Sequence, residues 1–144
     1  MTDSTLYIQV QDFYARQMRY LDDGDVALWA QTFTEDGVFA ANAHPEPTTG
    51  RAAIEAAARK AHEGLVEQNL RRRHWLGMIS IEEGAGGAVL ARSYAVILEI
   101  PRGGQAGVRL STTCDDVLVR EEGRLLVRER HVARDDLSLS LIHI

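Results

Sequence analysis

Leu21-Asp22-Asp23-Gly24-Asp25 closes one amphipathic segment, and Arg71-Arg72-Arg73-His74-Trp75 opens a strand-like run about fifty residues later. Asp22 and His74, fifty-two positions apart, are the residue types of a general base. A carboxylate bonded to one ring nitrogen fixes the imidazole tautomer, raises its basicity and stabilises the imidazolium that forms. The two meet only if a helix end and a strand face one cavity. A histidine after three arginines also suits a surface or structural role, and Asp23 and Asp25 compete with Asp22 as the carboxylate.

Other groups offer less. Tyr94, inside a strong strand, can donate its hydroxyl to a carbonyl or pack in the core with that hydroxyl satisfied. Glu99 shares a face with Ala91, Ser93, Ala95 and Ile97. It reads either as a second acid or as an exposed strand end before Pro101. His44, His62, His74 and His131 show no HxH, HExxH or Cys/His cluster spacing, so no metal site is expected. Gly84-Ala85-Gly86-Gly87 joins two strands rather than a strand and a helix, which is not a phosphate cradle. A Gly-x-Ser-x-Gly elbow is absent. Cys114 lacks an activating context and reads as a small buried hydrophobe. The chemistry these residues point to needs no cofactor.

The elements that must position such a dyad fit one domain. The chain has 144 residues, 45% hydrophobic and 26% charged, long enough for one core. A net charge of −5 argues against nucleic acid as a partner. The single cysteine excludes an internal disulfide and suits a reducing cytoplasm. Neither a signal peptide nor a membrane-spanning run is visible. Residues 139–144 read as the translation of a transposon-end sequencing adapter, so the domain is expected to span 1–138 with a non-native tail.

Residues 4–21 carry apolar positions at helical spacing, and Ser4 is of the type that caps a helix N-terminus. A short second helix follows Asp25 and takes in Trp29 and Phe33. Thr34-Glu35-Asp36-Gly37 predicts a turn, Val38-Phe39-Ala40 a short strand, and 42–49 an irregular loop around Pro45 and Pro47. An alanine-rich third helix covers 51–64. Runs at about 71–83, 88–100, 107–120 and 124–134, separated by glycine-bearing turns, predict a four-strand antiparallel meander. Several strands are apolar on both faces, which asks for two covers. The helices can supply one, and a second copy of the sheet the other.

This order of elements, with Phe13-Tyr14, Asp22, Phe33-Thr34-Glu35-Asp36-Gly37-Val38-Phe39, Gly50-Arg51, Arg73-His74 and Asp116-Val117-Leu118 through Arg130, resembles the SnoaL-like branch of the nuclear transport factor 2-like superfamily. The resemblance covers about residues 5–136. It implies an α+β fold: a cone-shaped barrel in which three N-terminal helices pack on a curved, mainly antiparallel sheet around an apolar pocket. In the scytalone dehydratases and lindane dehydrochlorinases of that branch, an Asp after the first helix pairs with a His on the first long strand. Those positions fall on Asp22 and His74. A dehydrochlorinase arginine on the last strand falls on Arg130, where a structural salt bridge to Asp116 is the alternative role. The dehydrochlorinase lysine aligns with Gln17, two dehydratase tyrosines align near Leu21 and Ala41 and its second histidine near Ile100-Pro101, so neither specific reaction transfers.

The resemblance thus implies Asp22, His74 and Arg130 as the catalytic set. Tyr94, Trp29, Phe33, Met78 and Glu99 are then the substrate-contacting wall. The implied activity is a cofactor-independent cyclase, dehydratase or isomerase acting on a small hydrophobic, polyketide-type substrate. Two other readings stand beside it: a non-catalytic β-subunit-like protein of a ring-hydroxylating dioxygenase, and a small-ligand binding protein. The apolar outer face around 75–81, 89–97 and 108–119 predicts a homodimer packed sheet to sheet.

Overall fold

The computed structural model describes residues 4–137. The expected tail at 139–144 lies outside them. Helix α1 runs Ser4–Asp23, and Leu6, Val10, Tyr14, Gln17 and Met18 are its buried stripe. Asp22 follows Met18 by four residues and so continues that stripe, which aims a carboxylate inward from the last turn. Gly24 ends the helix at φ 82°, and a side chain there would also collide with the His62 ring. Both facts call for glycine.

Helix α2 is only Val26–Ala30, and β1 begins at Phe33 and runs to Ala41. Phe33 therefore belongs to a strand rather than to the second helix. The expected turn at 34–37 survives inside β1 as a looped-out stretch: Phe33 pairs with Val127 and Val38 with Glu129, five residues against two. The proline-bearing loop ends in a two-residue strand, β2 (Thr48–Thr49), paired with Val38 and Phe39. Helix α3 (Arg51–Glu67) follows, then β3 (Leu70–Glu83), β4 (Val89–Pro101), β5 (Gly107–Glu121) and β6 (Arg124–Arg134).

These strands form one six-stranded sheet in the order β2-β1-β6-β5-β4-β3. The meander from β3 to β6 is antiparallel as its turns predict. One pairing departs from that expectation, because β1 lies parallel to β6. The α+β class with a mainly antiparallel sheet stands. The barrel does not: the sheet curls over the helices but stays open, with β2 and β3 as its edges.

Curvature comes from three bulges. Met78 and Ile79 oppose one residue of β4, Arg109 is extra on β5, and Arg128 is extra on β6. Each bulge bends its strand and reverses the in–out phase beyond it. The core lies between the concave face and the helices, around Val10, Tyr14, Trp29, Phe33, Leu118 and Val127.

Candidate active site

His74 sits on β3, the edge strand among the described residues, where every second backbone N–H points away from the sheet. Asp22 meets one of them. Its Oδ2 accepts the His74 backbone N–H at 3.0 Å, and its Oδ1 lies 2.6 Å from Nδ1 of the same residue. A carboxylate as the partner of Nδ1 places the proton there and leaves the Nε2 lone pair to accept. Both side chains are largely shielded, Asp22 more than His74. Asp23 instead faces Arg71 and Arg73 at the surface.

The dyad stands on the wall of a cavity of about 470 Å³ between the concave sheet and the helices. Small and apolar residues dominate it: Ala57, Ala58, Ala61 and Leu65 of α3 face Leu76 and Ile97. Trp29 also lines it, and its indole N–H is buried without a partner among the described residues. The volume lies within the range of small-molecule sites.

At the buried end, Arg130 and Asp116 are cross-strand partners on the inner face. Arg130 Nε donates to Asp116 Oδ1 and Nη2 to Oδ2, each at 2.9 Å, while Nη2 also reaches Gln17 Oε1 at 2.7 Å. The Tyr14 hydroxyl donates to Asp116 Oδ2 at 2.6 Å. The guanidinium lies over the Tyr14 and Phe33 rings, at 5.9 and 5.4 Å from their centroids. Burial opposes the Arg130 charge, but Asp116 overrides it and drives the guanidinium still further up. Burial first, then the Asp116 charge, pushes the Tyr14 hydroxyl and the Cys114 thiol above their ordinary values. Arg130 lines the cavity as well as serving this ion pair, whose hydrogen bonds run through Nε and Nη2.

Four of the expected wall residues lie elsewhere. Tyr94 is 59% exposed and Met78 79%, both on the convex side, and Trp75 joins them at 72%. Tyr94 pairs with Gly77, opposite in phase to Ala95, and the bulge turns Met78 out at φ 53°. Phe33 is fully buried behind the cavity, edge-on to Trp29. Glu99 is taken up by ion pairs with Arg72 at 3.0 Å and Arg109 at 3.9 Å, outside the lining.

The α3 face Ile54, Ala57, Ala58, Ala61, His62 and Leu65 was missed as lining, although its helical spacing was readable. Among the described residues, no group of three or more His, Cys, Asp or Glu side chains is placed to hold a metal ion. Nor is any helix there long and apolar enough to cross a membrane.

The family model of the SnoaL-like domain matches residues 3–131 of the chain. The structure of ActVI-ORFA from Streptomyces coelicolor is 34% identical, with a TM-score of 0.87, over 94% of this chain and 99% of that one. Aln2 from another Streptomyces species is also 34% identical, with a TM-score of 0.89, over 99% of both chains. A Catenulispora acidiphila protein in complex with S-DNPA is 38% identical, with a TM-score of 0.83, over 93% of this chain and 96% of that one. No functionally curated protein matches the sequence.

Proposed function

Because the chain belongs to the SnoaL-like family, we propose that it is a cofactor-independent enzyme that moves a proton on a small hydrophobic substrate. The family and its structural neighbours support a small-molecule cyclase or binding role. The finer reading is a polyketide-type cyclase, dehydratase or isomerase. Each of these reactions can begin with removal of a proton from carbon beside a carbonyl.

The observation that carries this reading is the Asp22–His74 contact on the wall of an apolar cavity. Nε2 of His74 takes the proton, and Asp22 stabilises the imidazolium through Nδ1. The substrate oxygen then gains negative charge and needs a donor. In this reading Arg130 supplies it through Nη1, since its other nitrogens are held by Asp116 and Gln17. Tyr94 has no part, because it stands on the other side of the sheet. A purely structural β-subunit-like role would leave the inward-facing dyad without a use.

The test is exchange of the α-protons of α-tetralone in D2O, followed by NMR. The protein should accelerate exchange, and His74→Ala should reduce that acceleration by roughly 10²–10⁴-fold. Ligand binding with no acceleration would favour the binding-protein reading, and full acceleration by His74→Ala would take the proton transfer away from His74.

The same reading includes a homodimer. Trp75, Met78, Tyr94 and Leu90 leave an exposed apolar patch on the convex face. A second sheet packed against it is the proposed cover.

A further inference from the structure

The end of the cavity away from Arg130 is its exposed end. Arg72 of β3 and Arg134 of β6 line it, with His44 from the loop after β1. Neither arginine is needed to hold the fold as Arg130 is. Arg134 holds Asp136, two residues on, through Nε to Oδ1 at 3.0 Å and Nη2 to Oδ2 at 2.6 Å, with side chains 30% and 60% exposed. At that exposure water and dissolved anions compete for the guanidinium, and a second carboxylate or sulfonate can offer it the same two-point contact. Arg72 shares the single carboxylate of Glu99 with Arg109. Arg72 and Arg134 thus line an otherwise apolar opening, while their carboxylate partners Glu99 and Asp136 stand outside the lining.

We propose that this mouth is an anion subsite, in which Arg134, with Arg72 of β3, receives a carboxylate or sulfonate carried by an otherwise apolar aromatic ligand. The inference rests on the cavity being the ligand site and names the class of ligand it takes. The ring system fills the space beside Ala57, Ala58 and Ala61, and the anion exchanges with Asp136 on the Arg134 guanidinium. Arg134 suits this exchange because its fork geometry matches a planar carboxylate and its present partner hangs on a surface turn. A polar end at the mouth also fixes which end of the ligand reaches His74.

Two dyes of nearly the same shape test it: anilinonaphthalene sulfonate and its neutral counterpart N-phenylnaphthylamine, titrated by fluorescence. Arg134→Gln should weaken the sulfonate about tenfold and leave the neutral dye within about twofold. Arg72→Gln should weaken the sulfonate less, and Asp136→Asn should tighten it by removing the competing carboxylate. Ala58→Trp, which fills the cavity, should weaken both dyes. If Ala58→Trp weakens both but Arg134→Gln affects them equally, the subsite is wrong and the cavity reading survives. If Ala58→Trp affects neither, the dyes bind elsewhere, and the cavity reading falls together with the subsite.

Discussion

At the scale of single residues, Asp22 makes two bonds to one partner, and they separate its roles. Asp22→Asn keeps a side-chain oxygen for the His74 backbone N–H but loses the charge that supports an imidazolium. The variant is expected to stay folded, with an unchanged thermal midpoint, while α-tetralone exchange drops by an amount similar to or smaller than for His74→Ala. A drop in midpoint of several degrees alongside the rate would make Asp22 chiefly a structural clamp. The pair was legible through the family resemblance, which falls on Asp22 and His74; the local pattern alone left Asp23 and Asp25 as rival carboxylates. Tyr94 was also decidable. Alternation puts Tyr94 opposite in phase to Ser93, Ala95 and Glu99, so Tyr94 and Glu99 could not both face the cavity. Glu99 was lost to Arg72, and cross-strand partners depend on register, which no local pattern states.

Elements tell a similar story through their irregularities. The meander was readable from its glycine turns, but its three bulges were not. Met78 keeps the parity of Leu76 only in an unbroken strand, and Arg128 parts from Arg130 for the same reason. The parallel β1–β6 pairing was hidden because it joins strands far apart in the chain. That pairing brings β6 into the centre of the sheet, where Arg130 and Asp116 are sealed. Asp116→Asn should therefore cost about 3 kcal/mol or more in chemical denaturation, because it leaves a buried guanidinium uncompensated. Tyr14 and Cys114 add a pH signature. Both are held protonated by the fold, so their contribution is complete below their unfolded values near 10 and 9 and is lost as pH rises past them. The thermal midpoint should fall on the alkaline side, and less steeply in Tyr14→Phe. Equal slopes for the two proteins would remove Tyr14 from that account.

For the whole molecule, the convex face makes the plainest prediction. Light scattering at micromolar concentration should give the mass of two chains, and Trp75→Glu should shift it to one while retaining the helix and strand signal in circular dichroism. A wild-type monomer would overturn sheet-to-sheet packing. The sequence pointed to this face because strands apolar on both sides need two covers, whereas the cavity's size could not be read from any one residue. The cavity owes its space to the alanines of α3, and that has a consequence for how the protein can change. Alanine and leucine are both good helix formers, so exchanging one for the other barely disturbs the helix itself. Each such exchange trims the cavity from the wall that carries neither Asp22 nor His74. The cavity's shape can thus drift one side chain at a time on α3 while Asp22 and His74 stay fixed, which makes that helix the natural place to randomise when seeking variants with a new preference.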